Sequence, residues 1–171
     1  MQQEDKRELS ESYFSKERLA EHHFRSYNSF LERGMQDVVT EKERIETDIG
    51  DKEEEEPVWV ELGDVRTVTP RVREADGSEE LLYPQEARLR NITYSAPVFM
   101  EMSIVRGGEE EEERVLDTTE TKVGRMPIMV GSQKCNIAGF SDDELVEIGE
   151  DPADPGGYFI INGSERVLMT S

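Results

Sequence analysis

The sequence predicts an α+β fold, in which amphipathic helices near the amino terminus pack on a mainly antiparallel sheet with hairpins. Three observations lead to this prediction. Apolar residues recur at helical spacing between Ser15 and Val39, β-branched residues recur mostly two apart between Arg44 and Arg73, and Asn162-Gly163 separates two short apolar runs. The first pattern is typical of an amphipathic helix, the second of strands and the third of a tight hairpin.

The helical region is expected to begin the fold. Its larger apolar residues are three to five positions apart, close to the 3.6-residue helical period; they are Leu19, Phe24, Tyr27, Leu31, Met35 and Val38. Gly34 lies inside this run, and a glycine in a helix interior costs about 1 kcal/mol relative to alanine. We therefore predict a long helix followed by a shorter one, with a break at Gly34.

Charged stretches separate the strands that follow. Glu53–Pro57 is one such stretch, and Gly107-Gly108 followed by Glu109–Glu113 is the other. Both have the composition of exposed connections, so we predict that they are hairpin tips. Runs of like charge are usually solvated loops, and no function is assigned to these two.

The middle of the chain contains a second helix signal and a second strand signal. Pro84 is placed to occupy the first position of a short helix over Gln85–Leu89. Tyr94–Arg106 has a strand-like pattern, and Pro97 indicates that this strand begins at or near an edge of the sheet.

The last third of the chain has clear local signals. Ser141-Asp142-Asp143-Glu144 has the form of a capping box, which predicts a short helix that ends at Gly149. The Asn162-Gly163 hairpin is expected next, and the last strand is predicted at Arg166–Thr170. Because this strand would end at the chain terminus, we expect a truncated product, with a tail at residues 1–12 and one incomplete domain at 13–171.

The charge of the chain is extreme. Forty Asp and Glu residues against 20 Lys and Arg residues give a formal net charge of -20. Such a chain is either an acidic, partly disordered interaction protein or a folded protein adapted to high salt, where the screening length falls to about 3 Å at 1 M. The apolar residues are grouped in runs, and Arg outnumbers Lys by 14 to 6, so we favour the salt-adapted protein.

The compartment is expected to be the cytoplasm. No apolar run approaches the roughly 20 residues that span a bilayer, and the amino end is polar and acidic. The single cysteine, Cys135, forms neither an internal disulfide nor a multi-cysteine zinc site, and we expect it to be a buried structural residue.

Four segments together resemble the second-largest subunit of archaeal and eukaryotic RNA polymerases, which is related to the bacterial β subunit. Gly124–Cys135 is similar to the family's segment of a basic residue, proline, apolar residues and Ser-x-x-Cys, and Gly156–Leu168 has the form Gly-Gly-x-Phe-x-Ile-x-Gly-x-Glu. Pro84–Pro97 resembles the arginine-bearing segment that leads into a strand, and Leu19–Glu32 resembles the opening helix.

This resemblance implies the protrusion region, which flanks the active-centre cleft, and an origin in a haloarchaeon. It implies a non-catalytic wall of the DNA cleft and a docking surface for factors, in a chain that ends near the start of the lobe region. Catalytic residues and cofactors are not expected in this segment, because the family's Mg²⁺ is held by another subunit. The implied partners are the other polymerase subunits, DNA, the RNA–DNA hybrid, and initiation and elongation factors, with no membrane.

Five cations are candidates for contact with nucleic acid, since a chain this acidic is expected to place its few cations where phosphates pass. They are Arg88, Arg90, Arg125, Lys134 and Arg166. The alternative for each is an ion pair inside the fold.

No metal site is predicted. Glu150, Asp151 and Asp154 are carboxylates, but the prolines and glycines around them indicate a rigid turn. His22 and His23 are adjacent on a helix and point about 100° apart, so they do not chelate one ion in the usual i, i+4 manner.

A different class of function also stays open: a stand-alone acidic module that binds proteins, or a non-functional remnant of a split gene.

Overall fold

The computed structural model describes residues 20–42, 44–47, 57–107 and 113–169. These residues form two compact units. Unit 1 contains the described residues up to Ser29, those from Thr69 to Ala96 and those from Met126 onward, and unit 2 contains Phe30–Val68 and Pro97–Arg125. Whether residues 13–171 act as one domain with a tail at 1–12 stays a prediction.

The chain has the predicted α+β architecture, and all the strand pairs with a defined register are antiparallel. The helices are α1 (Glu21–Ser29), α2 (Met35–Thr40), α3 (Pro84–Leu89) and α4 (Asp142–Glu147). The strands are β1 (Arg44–Glu46), β2 (Val58–Thr67), β3 (Arg71–Arg73), β4 (Glu79–Leu81), β5 (Ser95–Arg106), β6 (Arg114–Pro127), β7 (Phe159–Ile161) and β8 (Ser164–Arg166). A four-stranded sheet has the order β1-β2-β5-β6, and β3-β4 and β7-β8 are separate pairs.

The break predicted at Gly34 is confirmed. A wide π-helical segment, Phe30–Gly34, follows α1, and α2 begins at the next residue. A Cβ atom on residue 34 would lie 2.8 Å from Cδ2 of Phe30, so a larger residue there would displace this ring. The part of the predicted helix before Ala20 lies outside the described residues.

Unit 2 is built on β2 and β5, and its large buried aromatic side chain is Trp59, which is 2% exposed. The guanidinium carbon of Arg44 lies 3.7 Å from the centroid of the Trp59 ring, where the cation covers the aromatic face. Val105 is the cross-strand partner of Trp59 and is also buried. An aromatic residue opposite a β-branched one stabilises such a pair.

A bulge interrupts the pairing of β2 with β5. Gly63 and Asp64 together oppose Glu101, between the pairs Leu62–Met102 and Val65–Met100. The amide side chain of Gln36, on α2, binds the irregular backbone. It accepts a hydrogen bond from the Val65 N–H at 2.9 Å and donates one to the Gly63 carbonyl at 3.2 Å. Helix α2 therefore completes the hydrogen bonding that the bulge leaves open.

Unit 1 has its core around Tyr94, which is fully buried. The Tyr94 N–H donates to the Ile160 carbonyl at 3.0 Å, and the Tyr94 carbonyl accepts from the Ile128 N–H at 2.9 Å. Its side chain packs in one apolar cluster with Leu82, Ala87, Ala96, Ile128, Val130, Cys135, Tyr158 and Ile160. Residues that are far apart in the sequence thus meet around a single tyrosine.

The local signals of the last third are confirmed. Ser141 and Glu144 form the reciprocal capping box at the start of α4, and Gly149 ends that helix with a φ of +82°. Asn162 and Gly163, with φ of +49° and +77°, form the turn between β7 and β8. Two positive φ angles in sequence are what a type I′ hairpin turn requires.

Two strand predictions are wrong. The last strand is Ser164–Arg166 and not Arg166–Thr170, because the two-residue turn pairs Ser164 with Ile161 at once. Strand β5 lies between β2 and β6 and is not an edge strand. Pro97 is tolerated there because the pairing with β2 begins at Val98, so no hydrogen bond to β2 needs the missing N–H. The two predicted hairpin tips fall mostly outside the described residues.

We predict that Gln36→Ala destabilises unit 2 by about 1–3 kcal/mol, because two bulge groups lose their partner. Urea unfolding followed by the fluorescence of Trp59, the only tryptophan, measures this change. Lys122→Ala is the control, since that residue is exposed in unit 2 and its substitution should change stability by about 0.5 kcal/mol or less. Equal effects of the two substitutions would contradict the assigned role of Gln36.

Candidate functional site

The most elaborate polar arrangement among the described residues is centred on Arg88 in unit 1. Helix α3 positions Arg88, because Pro84 occupies its first turn and the residues that follow are good helix formers. Around its guanidinium lie groups from three other places: Glu150 and Asp154 from the loop after α4, Tyr158 just before β7, and Glu165 in β8.

The distances define a shared network. Arg88 lies 3.0 Å from Glu150, 2.9 Å from Glu165 and 3.7 Å from Asp154 in its closest N–O contacts. It also donates to the hydroxyl of Tyr158, which in turn donates to Asp154. The Glu150 side chain is only 4% exposed, and its second oxygen accepts the Gln85 N–H at 2.5 Å. We call Arg88, Glu150, Asp154, Tyr158 and Glu165 the Arg88 network.

Two members of the network, Arg88 and Tyr158, have shifted pKa values. Burial works to lower the pKa of Arg88, but its hydrogen bond with Glu150 and the nearby Tyr158 raise the pKa by more, so the guanidinium stays protonated. Burial and the hydrogen bond to Asp154 raise the pKa of Tyr158, so its phenol stays neutral. Arg88 is therefore a lasting cation and Tyr158 a lasting hydrogen-bond donor, and the two do not form an acid–base pair.

Two glycines hold the loop that leads into the network. Gly156 has a φ of +67°, and a Cβ there would lie 2.6 Å from the Val130 carbonyl oxygen. Gly157 has a φ of +82°, and a Cβ there would lie 2.7 Å from Cβ of Ala20. Both positions require glycine, for conformation and for space. The Gly-Gly pair thus has a packing role beside Tyr158.

A second polar group lies inside unit 1. The Tyr94 hydroxyl lies 3.3 Å from Sγ of Cys135 and accepts the Asn136 N–H at 2.9 Å. The Asn136 amide donates to the carbonyls of Pro70 at 2.8 Å and Leu82 at 2.7 Å. Burial raises the pKa of the Cys135 thiol, so this cysteine is a buried structural group, as predicted. Sequence reasoning missed Asn136, whose partners are distant in the chain.

The five predicted cations are in different surroundings. Arg88 belongs to the network, and Arg90 is 2.7 Å from both Glu74 and Glu86. Arg125 is exposed in β6 of unit 2. Lys134 is half-buried and Arg166 is exposed in unit 1, and within the described part of the chain no carboxylate lies at ion-pair distance from either. Arg88, Arg90, Lys134 and Arg166 thus belong to unit 1, and Arg125 belongs to unit 2.

The carboxylates after α4 bind backbone groups. Asp151 accepts the Ala153 N–H and Asp154 accepts the Gly156 N–H, each at 2.8 Å, as in a rigid turn. The rings of His22 and His23 have centroids 4.1 Å apart and are tilted by 38° relative to each other. In the ranges that the structure describes, no group of three or more potential ligands is arranged to hold a metal ion.

The segments that carry the family resemblance meet in unit 1. Tyr94, Ile128 and Ile160 come from three of them and share the core. The fourth contributes Tyr27, whose hydroxyl donates to the Pro127 carbonyl at 2.6 Å and whose ring packs edge-on against Phe159 at 5.3 Å. A family model described as RNA polymerase beta subunit matches residues 18–171. The chain belongs to this RNA polymerase beta subunit family.

Relatives within the family carry polymerase names. The chain is 95% identical over 171 residues to DNA-directed RNA polymerase subunit Rpo2N of Halobacterium salinarum, and it covers 33% of that relative. It is 44% identical over 166 residues to Rpo2N of Methanocaldococcus jannaschii, covering 96% of the chain and 32% of the relative. The subunit Rpo2 of Saccharolobus solfataricus is 43% identical over 160 residues, covering 94% of the chain and 13% of the relative.

The chain thus spans about a third of the length of the Rpo2N relatives it matches. The predicted family and a haloarchaeal origin are both confirmed. None of the helices in the described ranges combines the length and the apolar character that crossing a membrane demands.

We predict that Arg88→Met destabilises unit 1 by about 3–5 kcal/mol, because Glu150 then stays buried without a cation. The double variant Arg88→Met/Glu150→Gln should lose less stability than Arg88→Met alone, since the buried carboxylate is also removed. Exposure of the Cys135 thiol to a thiol reagent in rising urea measures the change, because this is the only cysteine and it lies in unit 1.

Arg25→Met serves as the control, since it breaks an exposed pair with Glu21 and should leave stability nearly unchanged. A double variant as unstable as Arg88→Met, or more so, would show that the unpaired charge is not the cause.

Proposed function

We propose that the chain is a non-catalytic structural portion of a DNA-directed RNA polymerase, a nucleotidyltransferase, and that it helps to wall the DNA cleft. The observation that carries this proposal is the 95% identity, along the whole chain, to a Halobacterium polymerase subunit. The core of unit 1 supports it, because the segments that resemble the family pack there against one another. Of the functions considered, an acidic stand-alone module has no comparable support.

The chemistry of nucleotide addition takes place elsewhere in this proposal. Mg²⁺ is held by another subunit of the assembled enzyme, and this chain supplies shape and contact surface. Its partners are the other subunits, the DNA with its RNA–DNA hybrid, and initiation and elongation factors, in the cytoplasm. The Arg88 network fits a structural role, because Arg88 stays protonated and Tyr158 stays neutral.

Contact with nucleic acid is assigned to only some of the five cations. Arg88 and Arg90 have carboxylates at 3.0 Å or less, so a phosphate would have to displace these ion pairs. Lys134 and Arg166 face no carboxylate at ion-pair distance within the described ranges, and Arg125 is exposed. We therefore place phosphate contacts at Lys134 and Arg166 first, with Arg125 as a further candidate.

Association with polymerase is the first test. An affinity-tagged copy of this chain, expressed in a haloarchaeal cell, should recover the other polymerase subunits and DNA-templated RNA synthesis. A tagged protein of similar size and charge from the same cell is the control. If the chain is recovered without polymerase subunits, the proposal fails.

Phosphate contact is the second test, made on polymerase that carries the variant chain. Lys134→Ala/Arg166→Ala should reduce the slope of log affinity for DNA against log salt by about 2, because two phosphate contacts release fewer counterions. Filter binding over a range of potassium chloride measures the slope. Arg25→Ala/Lys122→Ala removes the same charge from exposed positions and should leave it unchanged. An unaltered slope for Lys134→Ala/Arg166→Ala would show that neither residue contacts a DNA phosphate.

A further inference from the structure

A cleft of about 440 Å³ opens on unit 1 beside helix α4. The apolar part of its lining is formed by Phe24, Val130, Ile137, Phe140, Leu145 and Pro155. The volume lies within the range of about 300–1,000 Å³ that is typical of ligand sites. A cleft of this volume has room for one or two side chains of a partner.

All the charged residues that line the cleft are acidic. Asp142, Glu150, Asp151 and Asp154 line the cleft, and no lysine or arginine does. Arg88 neutralises part of the charge of Glu150 and Asp154. Asp142 and Asp151 are exposed, and within the described ranges neither has a cation at ion-pair distance. The rim of the cleft therefore carries net negative charge.

The walls of the cleft are already shaped. Gly131 has a φ of +82°, and a Cβ there would lie 2.9 Å from Cζ of Phe24. The capping box fixes the start of α4, and Asp151 holds the turn after it. A preformed site loses little conformational entropy when a ligand binds, which favours binding by a short segment.

The chemistry of the cleft selects the kind of occupant. A phosphate group would meet only like charge there, so nucleic acid is disfavoured. An apolar side chain fits the floor, and a neighbouring cation fits the rim. We propose that this cleft binds a short segment of a partner protein that presents an apolar side chain next to lysine or arginine. This inference does not rest on the polymerase role, because it follows from the cleft alone.

The test uses the full chain and two fluorescein-labelled peptides, Gly-Lys-Leu-Phe-Arg-Gly and Gly-Glu-Leu-Phe-Glu-Gly. Fluorescence anisotropy is measured at the lowest potassium chloride concentration at which circular dichroism shows a folded chain. The basic peptide should bind about tenfold more tightly than the acidic one, or better, because only its cations complement the rim. Equal binding of the two peptides would overturn the proposal.

Variants locate the binding. Ala138→Trp should fill the cleft from an exposed lining position and weaken binding of the basic peptide about tenfold or more. Asp142→Asn/Asp151→Asn should reduce the preference for the basic peptide to about twofold. If the Ala138→Trp variant does not fold, the peptide preference of Asp142→Asn/Asp151→Asn decides whether the proposal holds.

The control addresses the overall charge of -20, which attracts any basic peptide. Asp64→Asn/Asp117→Asn removes two exposed carboxylates from unit 2 and should keep the full preference. If this control lowers the preference as much as the cleft pair does, or if a folded Ala138→Trp binds normally, the attraction is nonspecific and the proposal is wrong.

Discussion

The burial of the Glu150 carboxylate is the constraint on which the arrangement of unit 1 depends. A carboxylate that is 4% exposed needs a cation and hydrogen-bond donors to offset its lost hydration. Arg88 supplies the cation, and the Gln85 N–H supplies a donor. Because the same guanidinium also reaches the loop at Asp154 and the hairpin at Glu165, the position of α3 fixes the positions of both.

Buried and exposed ion pairs differ in a salt-rich cell. Salt screens exposed charges strongly and buried charges much less. Arg66 binds Glu120 through two short hydrogen bonds, which lower the pKa of that carboxyl, but both side chains are about half exposed. Arg88 and Glu150 are shielded from solvent. At high salt, therefore, unit 1 retains its ion network while exposed pairs of the Arg66 kind weaken.

Elements with local causes could be predicted from the sequence. The capping box at Ser141, the hairpin turn at Asn162-Gly163, the start of α3 at Pro84 and the break at Gly34 each depend on a few neighbouring residues. The conformational preference of each short stretch agrees with the fold, so the local sequence is enough to predict the element.

Features that join distant residues could not be predicted in this way. Gln36 binds a bulge 27 residues away, and Asn136 binds carbonyls 54 and 66 residues away. The sequence around each residue gives no signal that its side chain forms these long-range hydrogen bonds. The position of β5 inside the sheet depends on β6, an almost wholly exposed strand without a strong apolar pattern. The contacts of the candidate cations could not be predicted for the same reason, because an arginine that binds phosphate and one that binds a buried glutamate look alike in sequence.

The segments that identify the family are largely those that pack unit 1. Gly156 and Gly157 are required by close contacts, Tyr94 joins two segments through its backbone, and Cys135 is buried beside it. Each of these residues has a packing or hydrogen-bonding role in the fold. A likeness built from such residues identifies the architecture, but it carries little information about which surface would contact a partner. For that reason the family of this chain follows from its core, whereas its contacts have to be argued from exposed side chains, their charges and their partners.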